Sequence, residues 1–255
     1  MSESLIYKSN RTISSAYLDS ALKLGPAQAV LMIQDNLTEC YYMLDCDGIV
    51  YKERYNAFWV FTKTKVHFNR RPAWREKITA STFPINNAAL RTHLNTVLTD
   101  SNGQKVVVAN QEACVLDFEK HRPLKLTNLN FPKEGFPEPV FTEPFERFPS
   151  VFADEEFEYE FVVRSQQIDL SHHLNNIEYI KLGLNCYPES MLLTREISDL
   201  EMHYCGESME GQILHIYKKS TDDGDFIRIL EVTHCNDGEH SSPRCVFEMK
   251  INFYD

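Results

Sequence analysis

Ile168-Asp169-Leu170-Ser171-His172-His173-Leu174-Asn175-Asn176-Ile177-Glu178-Tyr179-Ile180 is the stretch on which the fold turns. A β-rich run, Phe157–Ile168, leads into it. A helix candidate, Asn176–Cys186, leads out, with Ile177, Ile180 and Leu184 on one face and Pro188 beyond its end. Polar residues crowd the junction between them. Four β-rich segments follow, at Ile197–Tyr204, Gln212–Ser220, Phe226–His234 and Pro243–Phe253. Asp222-Asp223-Gly224 and Asn236-Asp237-Gly238 form the later turns.

The same plan is legible once more upstream. Leu5–Ile13 reads as a strand and Ser15–Gln34 as a helix, with Ser14 or Ser15 as its N-cap and a break at Gly25-Pro26. Strand candidates follow at Phe58–Phe68, Glu76–Ile85, Leu90–Thr99 and Lys105–Phe118, the last two joined through Asp100-Ser101-Asn102-Gly103. Val66-His67-Phe68 and Met202-His203-Tyr204 occupy matching places in the two halves. A helix set among long antiparallel strands is an α+β plan, and two copies account for so few helices in so long a chain. The expected domains are residues 1–127 and 153–255. Residues 128–152, dense in proline and phenylalanine, form an extended connection.

Composition narrows the function. The chain has 255 residues, 43% of them hydrophobic, enough for one large core or two modest ones. A net charge of −11 argues against a nucleic-acid partner, which favours clustered Lys and Arg. No apolar run approaches a membrane span, and Met1–Asn10 lacks the pattern of a secretory signal. Seven cysteines without a CxxC pair suggest reduced thiols in a cytoplasm, mostly packed as small apolar residues. An acidic partner would need a local basic patch, for which Lys63, Lys65, Arg70, Arg71 and Arg75 are the candidates.

The junction at 168–180 suits acyl chemistry. A helix N-terminus presents backbone N–H groups and partial positive charge, which can stabilise an oxyanion. A histidine just ahead of it can handle protons. The same residues, Asp169, Ser171, Asn175 and Asn176, also suit simple capping of the helix. Adjacent His172 and His173 are no metal signature, and on a strand they would point apart.

Three segments carry a family resemblance. Asp169, His173, Asn175, Asn176, Tyr179 and Ile180 match the Asp-x-Asn-x-His-Val-Asn-Asn-x-x-Tyr-Ile motif of plant and bacterial acyl-acyl carrier protein thioesterases. Ser171 stands where the family has asparagine. Tyr204, Glu207 and Ser208 resemble its Tyr-x-x-Glu-Ser strand end. Phe58-Trp59-Val60 through Arg71-Pro72-Ala73-Trp74-Arg75-Glu76 resembles its first-half pattern.

The resemblance implies a tandem hotdog, two long helices each wrapped by an antiparallel β-sheet. It implies hydrolysis of fatty-acyl thioesters on acyl carrier protein, ending fatty-acid synthesis. His173 and Glu207 fall on the catalytic histidine and acid. Asp169 falls on the supporting carboxylate and Ser171 on a positioning residue. Asn175, Asn176 and Trp59 are candidates for substrate binding. Arg71 stands near the place of Glu207 in a first half that lacks the His-x-Asn-Asn run, so that half is expected to hold the acyl chain. No metal or redox cofactor is expected. Cys205 matches no functional position and reads as packing. Ser208 lacks a nucleophile-elbow context. A homodimer stays open, as do two alternatives: a hydrolase of this fold acting on acyl-CoA, and a non-catalytic acyl-binding protein.

Overall fold

Gly25 and Asn175 each end a tight loop and cap the start of a helix, and this pair of junctions organises the chain. A computed structural model describes residues 2–149, 154–232 and 243–254. They divide into two units, Met1–Pro144 and Phe145–Asp255. The division falls inside the proline-rich connection.

The first unit runs β1 (Tyr7–Thr12), a 3-10 turn (Ser15–Tyr17), α1 (Pro26–Met43), α2 (Gly48–Tyr55), β2 (Ala57–Phe68), β3 (Lys77–Pro84), β4 (Thr92–Asp100) and β5 (Lys105–Asp117). The second unit repeats this order. It has β6 (Glu156–Val162), a 3-10 turn (Ser165–Gln167), α3 (Asn176–Leu184), α4 (Glu189–Thr194), β7 (Ile197–Tyr204), β8 (Ile213–Thr221), β9 (Gly224–Val232) and β10 (Arg244–Phe253). The neighbour order in the first sheet is β1-β3-β4-β5-β2, with each pairing antiparallel. In the second it is β6-β8-β9-β10-β7, likewise antiparallel. The two topologies are the same. Val66-His67-Phe68 and Met202-His203-Tyr204 close the equivalent strands β2 and β7.

Several elements differ from expectation. The first helix starts at Pro26, not Ser15, and runs on to Met43. Proline at the first helical position is pre-set for the helix, so Gly25-Pro26 is a start signal rather than a break. Ser14 caps only the 3-10 turn, without a side-chain bond. β6 ends at Val162 rather than Ile168. α3 stops at Leu184 and is half the length of α1. The short helices α2 and α4 are additions to the expected elements. Asp47 caps α2 by accepting from the N–H groups of Ile49 and Val50. Cys235 and the Asn236-Asp237-Gly238 turn lie outside the described residues.

α1 buries Ala29, Val30, Met32, Ile33, Leu37, Cys40 and Tyr41, a stripe at helical spacing. Its one buried amide, Asn36, donates to Thr82 Oγ1 at 2.8 Å and accepts from Ser9 Oγ at 2.6 Å. The proline-rich connection is no free linker. Phe131 and Phe141 are buried in first-unit clusters. Phe148 stacks on His203 in the second unit, centroids 4.0 Å apart.

α3 lies close to its sheet at Gly183. A Cβ there would collide with the buried Met249 side chain and meet Ile227 Cγ2 at 3.4 Å. Gly183→Val therefore overpacks the second unit and is expected to cost about 1–3 kcal/mol. A Cβ at Gly48, at the start of α2, meets nothing within 4 Å. Gly48→Ala is expected to leave stability unchanged or slightly raised. Urea midpoints of the two variants check the contrast.

Candidate functional site

β6 does not run directly into α3. After Val162 the chain makes the 3-10 turn and a tight loop through Asp169–Leu174. Asp169 N–H donates to His173 carbonyl at 2.9 Å, and Asp169 carbonyl accepts from His172 N–H at 3.0 Å. The Asp169 carboxylate accepts from Ser171 N–H at 2.8 Å. His172 sits at φ +65°, a left-handed position that reverses the chain. It is an exposed turn residue, not a strand residue pointing away from His173.

Leu174 N–H donates to Ser208 carbonyl at 2.7 Å, which fastens this loop to the segment after β7. The fastening brings His173 Nε2 to 3.2 Å from Glu207 Oε2. The imidazole is 25% exposed and the carboxylate 51%, so both reach solvent. Histidine, carboxylate and the start of α3 are thus gathered by one loop and one strand end.

The helix start is partly used by its own cap. Asn175 Oδ1 accepts from Ile177 N–H at 2.8 Å, and Asn175 carbonyl accepts from Glu178 N–H at 2.9 Å. Asn175 is therefore a capping residue by geometry. The Asn176 N–H takes no part in those two bonds, and the half-buried Asn176 side chain lies beside it. Ser171 is exposed, and its backbone N–H bonds the Asp169 carboxylate. The bonds between Asp169 and His173 run through backbone, so Asp169 shapes the loop that carries the imidazole.

Two supports were not legible in the sequence as such. Tyr179 hydroxyl donates to Ser208 Oγ at 2.8 Å, with both residues buried. Burial pushes that phenol up to about 12, against the pull of the Ser208 hydrogen bond, so it stays a neutral donor at neutral pH. The Tyr179 and Ser208 positions in the quoted motifs were the available signal. Arg244 Nη2 donates to Glu207 carbonyl at 2.7 Å and to Glu231 Oε2 at 2.5 Å. Gln212 extends the brace, donating to Glu231 at 2.6 Å and accepting from Met209 N–H at 2.6 Å. Nothing local in the sequence marks Arg244.

The first unit repeats the loop with other side chains. Asp19 N–H donates to Lys23 carbonyl at 3.0 Å, Leu22 has φ +56°, and Leu24 N–H donates to Pro72 carbonyl at 2.7 Å. Lys23 thus stands for His173, Gly25 for Asn175 and Arg71 for Glu207. The Arg71 guanidinium is 3% exposed and pairs with Asp19. Trp59, a candidate substrate contact, stacks on Tyr41 with centroids 4.3 Å apart and on Tyr51 at 5.2 Å. Its indole N–H donates to Cys46 carbonyl at 2.7 Å.

Three of the five cations expected to form a basic patch are engaged by acids. Arg71 is buried on Asp19, and Lys65 pairs with Glu143 at 3.3 Å. Arg70 bridges Glu76 and Asp100, at 2.6 and 2.9 Å. Local acids neutralise these cations, so spacing along the chain overstated the patch. Among the described residues no helix is long and apolar enough to cross a membrane.

Comparisons with known proteins bear on the family and the fold. The model of the acyl-ACP thioesterase N-terminal domain matches residues 5–129, and that of the C-terminal domain matches 152–248. The palmitoyl-acyl carrier protein thioesterase of Cuphea hookeriana is 24% identical over 163 residues, which is 59% of this chain and 39% of that protein. The chain thus spans well under half the length of that curated relative. An acyl-ACP thioesterase from Bacteroides thetaiotaomicron shares the fold over 100% of both chains, with a TM-score of 0.86 and 19% identity. A 12:0-ACP thioesterase from Umbellularia californica does so over 98% of this chain and 97% of its own, with a TM-score of 0.78 and 12% identity.

Tyr179→Phe leaves Ser208 Oγ without its donor and is expected to cost about 1 kcal/mol. Adding Ser208→Ala removes the stranded partner and should recover part of that loss. Urea unfolding of both singles and the double checks this; strictly additive losses would mean the bond contributes nothing.

Proposed function

Because the chain belongs to the acyl-ACP thioesterase family, we propose that it hydrolyses fatty-acyl thioesters carried on acyl carrier protein, releasing free fatty acid and the carrier. The single observation that carries this reading is the 3.2 Å contact of His173 with Glu207 beside the start of α3.

The chemistry needs a water activated against a thioester carbonyl. Imidazole and carboxylate in hydrogen-bond reach of one another, both open to solvent, form a proton-handling pair. One of them takes a proton from the attacking water. The C–O bond forms, the carbonyl oxygen carries negative charge, and the C–S bond then breaks. The departing sulfur receives a proton from the same pair. The Asn176 N–H and side chain, at the positive end of α3, are the donors offered to the oxyanion. Asn175 keeps the helix start in place. Asp169 and Ser171 hold the loop that presents His173, as positioning residues.

The first unit has the loop without the acid and histidine, so its task in this reading is to hold the acyl chain. Each buried methylene contributes about 0.8 kcal/mol, which makes chain length a strong selector. Trp59, inside the first-unit aromatic stack, is the residue through which that core meets the chain. A cytoplasmic location and a carrier protein as partner belong to the same proposal. Lys65, Arg70 and Arg71 are engaged internally and are not offered to the carrier in this reading.

His173→Ala is expected to lower kcat by about 10²–10⁴ with the thermal midpoint unchanged. Glu207→Gln should also lose most activity. Retention of full turnover in the alanine variant would end the mechanism. The donor is tested separately, by hydrolysis rates of one acyl chain on acyl carrier protein and on coenzyme A. Faster release from the carrier is expected. A panel of carrier substrates of increasing length, read as free acid for wild type and Trp59→Phe, should show a shifted length preference.

A further inference from the structure

We propose that Cys205, Cys245 and Glu248 form a binding site for a soft divalent cation, with Zn²⁺ as the ion that fits. The two sulfurs and a Glu248 carboxylate oxygen all lie within 4.8 Å of one another. The site is assembled by strand pairing, not by spacing along the chain. Tyr204 at the end of β7 pairs with Phe247 on β10, and His203 pairs with Glu248. Past that point the N–H groups of Cys205 and Gly206 both donate to Val246 carbonyl, at 2.9 and 3.0 Å. This irregularity sets the Cys205 thiol on the same face as Glu248, 4.0 Å from its Oε2, and within reach of Cys245. Neither cysteine is in a disulfide. Cys205 is exposed and Cys245 partly so, so an ion has access. Cys205 is therefore no packing residue.

Ligand chemistry decides the ion. Thiolate sulfur is a poor donor to Ca²⁺ or Mg²⁺ and a good one to Zn²⁺. Zinc takes sulfur at about 2.3 Å and carboxylate oxygen at about 2.0–2.2 Å, so two sulfurs on one tetrahedral ion sit roughly 3.8 Å apart. That spacing lies inside the 4.8 Å within which the three ligand atoms are gathered. Charge also balances. Zn²⁺ displaces one proton from each thiol, and two thiolates neutralise it. Glu248 remains paired with Arg228, whose Nε is 3.6 Å from its Oε1. Among the described residues no fourth ligand side chain joins the cluster. An ion here ties the Cys205–Gly206 segment to β10, two residues ahead of Glu207.

Cobalt reports thiolate ligation directly. Titration of the full chain with Co²⁺, in a non-thiol reductant, should give a sulfur-to-cobalt charge-transfer band saturating at one equivalent and bleached by Zn²⁺. Cys205→Ser and Cys245→Ser should each abolish the band, and Glu248→Gln should weaken binding. On the unmodified protein, one equivalent of Zn²⁺ should slow iodoacetamide alkylation of Cys205 by about tenfold, read by peptide mass spectrometry. The absence of a band, a band that survives both serine variants, or alkylation indifferent to zinc would each overturn the site.

Discussion

One backbone hydrogen bond holds the candidate site together: Leu174 N–H to Ser208 carbonyl, 2.7 Å. His173 and Glu207 are far apart in sequence and sit on different kinds of structure, a loop and a strand end. The bond joins their immediate neighbours, so the two side chains have little choice but to meet. A backbone bond suits this task because it does not depend on side-chain identity. Around it the structure adds the buried Tyr179–Ser208 contact and the Arg244 brace on Glu207 carbonyl. Each restrains the same short segment from another direction. A proton-handling pair loses much of its use if one partner drifts by an ångström, and such drift is what these contacts limit.

The first unit shows what that frame does without the chemistry. Its equivalent bond, Leu24 N–H to Pro72 carbonyl, has the same length. There the frame holds Asp19 against Arg71, with Lys23 in place of the histidine. A nearly fully buried guanidinium beside a carboxylate is satisfied as an ion pair. The same backbone course thus carries a buried ion pair in one unit and a solvent-reaching histidine–carboxylate contact in the other. The contrast rests on a single loop repeated in each unit.

The prolines between the halves rule out regular structure there, and the structure uses that freedom for burial. Phe131 and Phe141 enter first-unit clusters, and Phe148 lies flat on His203. An extended chain can place a large side chain wherever a sheet leaves room, which a helix or paired strand cannot.

Periodicity and turn chemistry alone determined the duplicated α+β plan, because strand alternation and a helical stripe are local properties. Ile197–Tyr204 has the boundaries expected of it, and most other strands lie within two residues of theirs. The motif residues His173, Glu207 and Asp169 were legible as residues of interest, and so was Arg71 as the counterpart of Glu207. Helix ends were less legible. Gly25-Pro26 can break a helix or begin one, and only its bond to the loop decides between them. Tertiary structure alone decided the rest. It neutralised three of the cations that looked like a patch, turned His172 outward, and brought Cys205 beside Cys245 across paired strands. Those outcomes depend on which distant backbone lies alongside, and a linear chain carries no direct record of that.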